Sequence, residues 1–398
     1  MELTRRLTQL VILRLDELTD ELVLEILREN AGYVDASHAA AELVPLDELR
    51  RSCRDNLERV LQLLGDMVPP GVDPVDAAMS TGTRRAERRA PLEAVLRSFR
   101  IGGRVVWHAL ARVAKEDGSI GWDDMVDVAA AVWTVVDEVS SAVAGAYRRT
   151  ELRLRRLDEH RRLTMFTDLL RGRGRDAAFA AEAAAELDLP ADADFLVLAA
   201  DLRQDSSAED LLAVHGVRSI WQPHARHTVG LVALDRHDAD RVLDLLRTAV
   251  RDRVGVSPRV HGLGEVGTAH ELAVLALRTL PAGTATTARL DDRLPAALLV
   301  RSPDLVDRLV EVVLGPLLRL PDGERQQLLA TLSAWLRSNR SPAAAAERLY
   351  CHRNTVINRM SKVESLLGRS LEDFENALTV SYALLALDLP EGTHAQRK

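Results

Sequence analysis

The chain has 398 residues, of which 47% are hydrophobic and 28% are charged, and its formal net charge is −8. This length predicts two or three domains, each able to bury its own core. The acidic balance excludes a protein that coats nucleic acid through a general basic excess, but it is compatible with a small basic module. The two cysteines, Cys53 and Cys351, lie far apart without a CxxC pair, so neither a disulfide framework nor a cysteine-based zinc site is indicated.

The N-terminal segment "MELTRRLTQLVILRLDELTDELV" predicts an amphipathic helix, because acidic residues are spread among its apolar residues. It does not have the pattern of a signal peptide. No apolar run approaches the length needed to cross a bilayer, so we expect a cytoplasmic protein that makes no membrane contact.

Residues 1–150 are helical in pattern almost throughout. Apolar residues recur at steps of three and four from Leu43 to Leu64, and "VPPGVDP" then breaks the pattern. A helix is predicted from Pro91, with Gly102 and Gly103 in its interior, where each costs about 1 kcal/mol relative to alanine. These glycines indicate a close helix contact or a kink. The sequence therefore predicts an all-α bundle over residues 1–150 and an Arg-rich connecting helix over residues 151–180.

Residues 181–300 mix strand and helix patterns. The runs "DFLVLAADL" and "HTVGLVALD" predict strands, a third lies within "SPRVHGLGEVG", and helical stretches separate or follow them. This mixture predicts a small α/β domain. Residues 301–390 are helical again, and the polar tail 391–398 is expected to be disordered. The predicted fold class is thus multidomain, α plus α/β.

Two features of the middle region could suggest chemistry. The run "GLGEVG", Gly262–Gly267, matches a dinucleotide-binding fingerprint, but the strand before it is short and no doubly wound pattern surrounds it, so a glycine turn is favoured. His215, His224, His227 and His237 lack a carboxylate at ligand spacing, which favours a solvated loop. No nucleophile or phosphate-binding motif is present. We therefore expect no enzyme activity, no cofactor and no metal.

The stretch "SPAAAAERLYCHRNTVINRM" predicts two helices joined by a tight turn. Ser341 and Pro342 are typical of a helix start, and His352 stands where the cap of a second helix would be. In the second helix Val356, Met360, Val363 and Leu367 recur at steps of four, three and four, so one face packs inward. The pattern indicates a helix-turn-helix whose second helix is free to enter the major groove of double-stranded DNA. The residues expected to contact DNA are His352, Arg353, Asn354, Thr355, Asn358, Arg359 and Lys362.

The local charge agrees with this interpretation, since basic residues outnumber acidic ones between Arg337 and Arg369. Arginine can bond to guanine and asparagine to adenine. An ordinary helical hairpin with a solvated basic face is the alternative. Tyr350 favours that alternative slightly, because many such turns have glycine there.

The last helices resemble the C-terminal helix-turn-helix of PucR/CdaR-type bacterial transcriptional regulators. The resemblance rests on "AAERL", "HRNT", "LLGRSLED" and the final apolar helix, while Ile357 and Asn358 occupy places where the family pattern usually has Arg-Tyr. The middle region is similar to the degenerate GGDEF-like domain of these regulators, without the GGDEF residues themselves. The N-terminal region resembles their RsbR-like helical domain.

The resemblance implies a sequence-specific DNA-binding transcriptional regulator that forms a homodimer or a higher oligomer. Its N-terminal domains would sense an effector of unknown identity or mediate assembly. One alternative is a stress-signalling interaction scaffold with a vestigial helix-turn-helix. Another is a nucleotide-dependent enzyme that uses Gly262–Gly267.

Overall fold

The structure is a computed structural model that describes residues 2–30, 44–118, 120–201, 208–250 and 252–390. The chain divides into two compact units, Met1–His160 and Arg161–Lys398. The tail predicted over 391–398, and Leu43 at the start of the first apolar repeat, lie outside the described residues.

The first unit is a bundle of helices, as the sequence predicts. Its core is built from leucines and valines that lie on one side of each helix, including Leu49, Leu61, Leu110 and Val143. The helices are α1 (Glu2–Ile12), α2 (Leu15–Glu29), α3 (Leu46–Leu64), α4 (Asp76–Glu87), α5 (Leu92–Asp117) and the first part of α6 (Trp122–Leu170).

The two adjacent glycines of α5 have different roles. A Cβ atom on Gly103 would lie 2.6 Å from Cγ2 of Val136 in α6, so a larger residue there has no room. A Cβ atom on Gly102 would lie 3.8 Å from Leu22, which is an ordinary contact. The close helix contact expected from the sequence is therefore made at Gly103.

Helix α6 is continuous over Trp122–Leu170, so the last bundle helix and the predicted connecting helix are one element that ends at Leu170. An 18-residue window in it has a mean hydropathy of 1.3, and among the described residues it is the one helix long and apolar enough to cross a membrane by length and composition. This corrects the expectation that no apolar run approaches such a length. Val132, Val139 and Val143 of this helix are buried in the bundle core.

The second unit contains a mixed sheet. Its strands are β1 (Asp194–Ala200), β2 (Ser219–His224), β3 (His227–Ala233), β4 (Val254–Val256), β5 (Val260–His261) and β6 (Thr287–Arg289). They lie in the order β2-β3-β1-β4-β6. The central strand β1 is antiparallel to β3, β4 and β5, whereas β4 and β6 are parallel.

Helices cover both faces of this sheet. Successive side chains of a strand point to opposite faces, so Phe195 and Val197 of β1 differ by two positions and join one core cluster, while Leu196 and Leu198 join the other. The helices of this region are α7 (Ala177–Leu187), α8 (Ala208–Val214), α9 (Ala239–Ala249) and α10 (Val266–Arg278). The predicted small α/β domain is confirmed.

Two glycine-rich turns pack backbone against backbone beside this sheet. A Cβ atom on Gly174 would lie 2.2 Å from the carbonyl oxygen of Leu263, and one on Gly267 would lie 2.7 Å from Cα of Gly172. Neither position can hold a side chain. Within "GLGEVG", Gly267 makes room for the backbone at Gly172 and Gly262 has φ 72°, which agrees with the predicted glycine turn.

The C-terminal part of the second unit is all-α, as predicted. Its core includes Leu314, Leu332, Val356, Val363 and Val380. The helices are α11 (Leu294–Arg301), α12 (Pro303–Leu318), α13 (Asp322–Arg337), α14 (Pro342–Arg348), α15 (Arg353–Leu367) and α16 (Phe374–Leu387).

Candidate nucleic-acid interface

Helix α14 begins where the sequence predicts. The hydroxyl oxygen of Ser341 accepts a hydrogen bond from the backbone N–H of Ala344 at 3.4 Å, and Pro342 occupies the first helical position. Such a cap satisfies a donor that the first helical turn leaves open.

The turn after α14 depends on Tyr350. This residue has φ 49°, in the left-handed region that glycine adopts without strain. Its side chain is 97% exposed, and the next residue, Cys351, donates its backbone N–H to the carbonyl of Ala346 at 3.1 Å. The tyrosine thus occupies a glycine-type position without a compensating buried contact.

Helix α15 is capped by a histidine. Nδ1 of His352 accepts a hydrogen bond from the backbone N–H of Asn354 at 3.2 Å, which confirms the predicted cap. A ring nitrogen that accepts carries no proton, so this cap requires the tautomer in which Nε2 carries the proton. The cap fixes where α15 begins and hence which side chains form its first turn.

The inner face of α15 is the predicted one. Val356 and Val363 are fully buried, and Met360 packs with them in the same core. Ala345 and Ala346 of α14 join this core and allow the two helices to approach closely. Burial of this face leaves the opposite face of α15 outward.

The outer face carries most of the predicted DNA-contacting residues. His352, Arg353, Asn354 and Asn358 are exposed, and Thr355 is half-buried. All of them lie in the first half of α15 or at its cap. Ile357 is 38% exposed, so the departure from the usual Arg-Tyr pattern falls on this same outer face.

The two basic residues further along α15 already have protein partners. Arg359 is half-buried, and its Nη1–H donates to the hydroxyl of Thr331 at 3.4 Å. Lys362 forms an ion pair with Glu324 of α13. A phosphate at either position would have to compete with these contacts.

Part of the local basic surplus is also held by intramolecular contacts. Arg337 forms an ion pair with Asp388 at 3.0 Å, and Arg340 donates to the carbonyl of Glu372 at 3.2 Å. Of the remaining basic residues, Arg348 ends α14 and Arg353 begins α15, on either side of the turn.

Three histidines come together in the middle domain, which differs from the solvated loop expected from the sequence. His224 ends β2 and His227 begins β3, and their ring centroids lie 5.2 and 5.8 Å from that of His270 in α10. Within the described ranges no three His, Cys, Asp or Glu residues are arranged to hold a metal ion. Burial lowers the pKa of His270 to about 4, and the neighbouring histidines add to this effect.

Three family models match the chain. The RsbT co-antagonist protein rsbRD N-terminal domain matches residues 16–162, the GGDEF-like domain matches 171–279, and the PucR C-terminal helix-turn-helix domain matches 328–386. The chain is therefore a multidomain helix-turn-helix protein. It is of the PucR/CdaR type, with an RsbRD N-terminal domain and a GGDEF-like domain before the helix-turn-helix.

Two curated proteins are similar over short segments. The purine catabolism regulatory protein of Bacillus subtilis (strain 168) is 49% identical over 61 residues, which are 15% of this chain and 12% of that protein. The carbohydrate diacid regulator of Escherichia coli (strain K12) is 39% identical over 74 residues, 18% of this chain and 19% of that protein. The matched segments thus span less than a fifth of either relative.

One solved structure, that of a regulator of polyketide synthase expression from Bifidobacterium adolescentis, is 16% identical and matches 55% of this chain and 94% of its own chain. Its TM-score is 0.29.

Proposed function

We propose that the chain is a cytoplasmic, sequence-specific DNA-binding transcriptional regulator that makes no membrane contact. The first turn of α15 reads base edges, with Arg353 and Asn354 as the principal readers. His352, Thr355, Asn358, Arg359 and Lys362 complete the contact surface on bases and phosphates. The N-terminal bundle and the GGDEF-like domain sense a signal or mediate assembly, and neither catalyses a reaction.

The observation that carries this proposal is the division of α15 into two faces. Its inner face is buried against α14, and its outer face exposes Arg353, Asn354 and Asn358 just after a capped start. In helix-turn-helix proteins the N-terminal residues of the second helix contact base edges in the major groove. The match to the PucR C-terminal domain supports the same role.

The small number of base pairs that one recognition helix can contact supports a homodimer. One recognition helix contacts only a few base pairs, and helix-turn-helix proteins commonly bind paired half-sites one helical turn apart as dimers. We therefore expect the operator to be a two-fold repeat.

The direct test is an electrophoretic mobility shift with DNA from upstream of the protein's own gene, against a scrambled duplex of equal length. We expect selective retention of the upstream duplex by the parent protein and loss of selectivity in Arg353→Ala. Arg247→Ala is the matched control, because this exposed arginine of α9 pairs with Asp244 in the GGDEF-like domain. Equal retention of both duplexes by the parent would favour the interaction scaffold.

A second test concerns catalysis by the GGDEF-like domain. Purified protein incubated with GTP and magnesium is expected to yield no cyclic dinucleotide, and calorimetry with NAD is expected to show no binding. Either product or binding would favour the nucleotide-dependent enzyme.

A further inference from the structure

Two exposed tryptophans lie on one face of α6. The side chains of Trp122 and Trp133 are 83% and 56% exposed, whereas Trp221 and Trp335 are buried, as is usual for so large an apolar side chain. Val126 lies between the two exposed tryptophans on the same face and is also exposed. Apolar side chains grouped in this way on a surface commonly mark a site where another molecule docks.

These residues belong to a row that runs along the outside of the helix. Its members recur at steps of four, four and three, so they repeat every 11 residues, and this period keeps them on one side of an α-helix. The row consists of Trp122, Val126, Ala130, Trp133, Asp137, Ser141, Ala144, Arg148, Leu152 and Arg155. All of them are exposed except Ala144, which is half-buried. This row, which we call the open face of α6, lies opposite the valines that pack in the bundle core.

The charges on α6 are separated by sign along the helix. From Trp122 to Tyr147 the helix has five acidic residues and no basic one, whereas from Arg148 to His160 it has five arginines and three acidic residues. The acidic residues of the first part are Asp123, Asp124, Asp127, Asp137 and Glu138. The first half of the helix is therefore acidic, the second half is basic, and each half complements the other.

Most of these charges have no opposite charge beside them in the bundle. Between Trp122 and Glu159, the ion pairs that α6 forms with the described residues are Arg155–Glu151 and Arg89–Asp158. On the neighbouring helices, by contrast, arginines regularly pair with acidic residues of α2, as Arg104 and Arg112 do. Asp137 and Arg148 of the open face thus remain available to a partner.

We propose that the open face of α6 binds the open face of a second copy of the chain, with the two helices antiparallel and the two-fold axis near Ser141. The acidic half of each helix then lies against the basic half of the other, whereas a parallel pair would set acidic residues against acidic ones. Ser141 lies near the boundary between the halves, and it and Ala144 are small enough for two helices to approach closely. This pairing deepens the assembly role assigned above to the bundle and rests on it.

An axis at Ser141 brings complementary residues together, because residues at equal distances from the axis meet. Ala130 and Leu152 are each 11 residues from Ser141, so they face each other across the pair. Trp133 lies opposite Arg148 of the partner subunit, where the guanidinium stacks on the indole ring. An antiparallel pair is also two-fold symmetric, as the expected operator is.

The tryptophans supply much of the surface that such a pair needs. An interface of standard size buries about 1,600 Å² in total, and a tryptophan buries about 150–250 Å². The four tryptophans of a dimer therefore supply up to about half of that area. Val126 and Leu152, both exposed on the open face, add to it.

Cysteine cross-linking of the full-length protein, without DNA, tests the orientation. In a Cys351→Ser background, which leaves only the buried Cys53, the double variant Ala130→Cys, Leu152→Cys should form a covalent dimer on mild oxidation. Neither single variant should do so, because position 130 of one copy lies roughly 33 Å from position 130 of the other, at about 1.5 Å per residue. In a parallel pair these two positions would meet. A covalent dimer of the Ala130→Cys variant alone would therefore overturn the proposal.

Sedimentation of the full-length protein, again without DNA, tests the apolar contact. Trp133→Gln should weaken dimerisation about 10-fold or more, since a buried tryptophan is a typical hot spot of an interface. Leu24→Gln is the matched control, because it removes a similarly exposed apolar side chain from α2 and should leave dimerisation unchanged. Circular dichroism confirms that both variants are folded.

A charge exchange tests the complementarity. Arg148→Asp should weaken dimerisation about 10-fold, because it places acidic residues against the acidic half of the partner. The double variant Asp137→Arg, Arg148→Asp should restore most of the loss, since opposite charges meet again across the axis. A loss that the exchange does not restore would overturn the antiparallel pairing.

The remaining outcomes are also decisive. A monomeric parent protein would overturn the proposal, since another partner would then cover the open face, and so would a dimer that Trp133→Gln leaves unchanged. Because no DNA is present, these failures leave the mobility shift untouched. A failed mobility shift in turn leaves the cross-linking result standing.

Discussion

Arg353 and Asn354 differ from Lys362 in what they are expected to contact. The first two lie in the first turn of α15, which we propose reads base edges, whereas Lys362 lies two turns further on and pairs with Glu324. Substitutions at the two places should therefore weaken DNA binding in different ways.

We predict that Arg353→Ala or Asn354→Ala costs about 1–3 kcal/mol on the specific site and little on random DNA. Lys362→Ala should weaken both kinds of binding alike and reduce the salt slope by about 1, because one fewer counterion is released. The measurement is equilibrium binding to specific and scrambled duplexes across a salt series. Glu324→Gln is the matched control, since it frees Lys362 and should strengthen both kinds of binding. Unchanged specific binding by folded Arg353→Ala and Asn354→Ala would show that bases are read elsewhere.

Tyr350 offers a prediction about stability. We expect Tyr350→Gly to raise the free energy of unfolding by roughly 1 kcal/mol, since a left-handed conformation is unfavourable for tyrosine and the exposed ring loses no packing. Urea denaturation checks this. Asn339→Gly, at φ 51°, should gain less because asparagine tolerates this conformation. A destabilised Tyr350→Gly would mean that the ring has a contact of its own.

At the scale of single elements, the packing of α5 on α6 depends on Gly103, which has no side chain. We predict that Gly103→Leu lowers the free energy of unfolding by about 1–3 kcal/mol, because Val136 already fills the space beside it. Denaturant unfolding followed by circular dichroism measures this loss, with sedimentation to detect any change in assembly. The neighbouring Gly102→Ala is the control and should not destabilise. An unchanged melting temperature and unchanged sedimentation of Gly103→Leu would contradict the prediction.

The elements predicted from the sequence are those whose signals are local. The caps of Ser341 and His352 and the inward face of α15 depend on residues a few positions apart, and all three are confirmed. The short strands β2 and β4 were not predicted, since β2 contains Pro223 and β4 has only three residues. Strand β2 forms a hairpin with the neighbouring β3, whereas β4 depends on pairing with the distant strands β1 and β6, which periodicity does not reveal.

The same limit applies to the functional features. The outward-facing residues of α15 were predicted because the helical pattern separates inner from outer positions. His270 was not singled out, because its significance arises from partners brought together only by folding. Likewise, Lys362 was predicted to contact DNA, and its pairing with Glu324 was not foreseen because it depends on how α13 packs on α15.

For the whole molecule, the histidine cluster should make stability depend on pH. Burial and the nearby His224 lower the pKa of both His227 and His270 below the ordinary value of 6.5. The unfolded chain then binds protons more readily than the folded one, so stability is complete above pH 6.5 and is lost as the pH falls toward the folded value. For His270 that value is about 4.

We therefore predict that the free energy of unfolding decreases as the pH falls from 6.5 to 4. The decrease should be smaller than roughly 1.4 kcal/mol per pH unit, the value for one proton that only the unfolded chain binds. Denaturant unfolding across this range measures the slope, and His270→Gln should flatten it. His261 gives the opposite sign, since its hydrogen bond to Asp194 raises its pKa. A slope in His270→Gln equal to that of the parent would rule out the cluster as its source.

The contact between the two glycine turns has a consequence for how this fold tolerates mutation. Gly174 meets the backbone at Leu263, and Gly267 meets the backbone at Gly172, so no side chain on either partner can shrink to make room for a change on the other. A compensating second mutation is therefore unavailable at these contacts. We expect the glycines of the two turns to be retained together in related sequences and to show no covariation, because no other residue fits on either side of the contact.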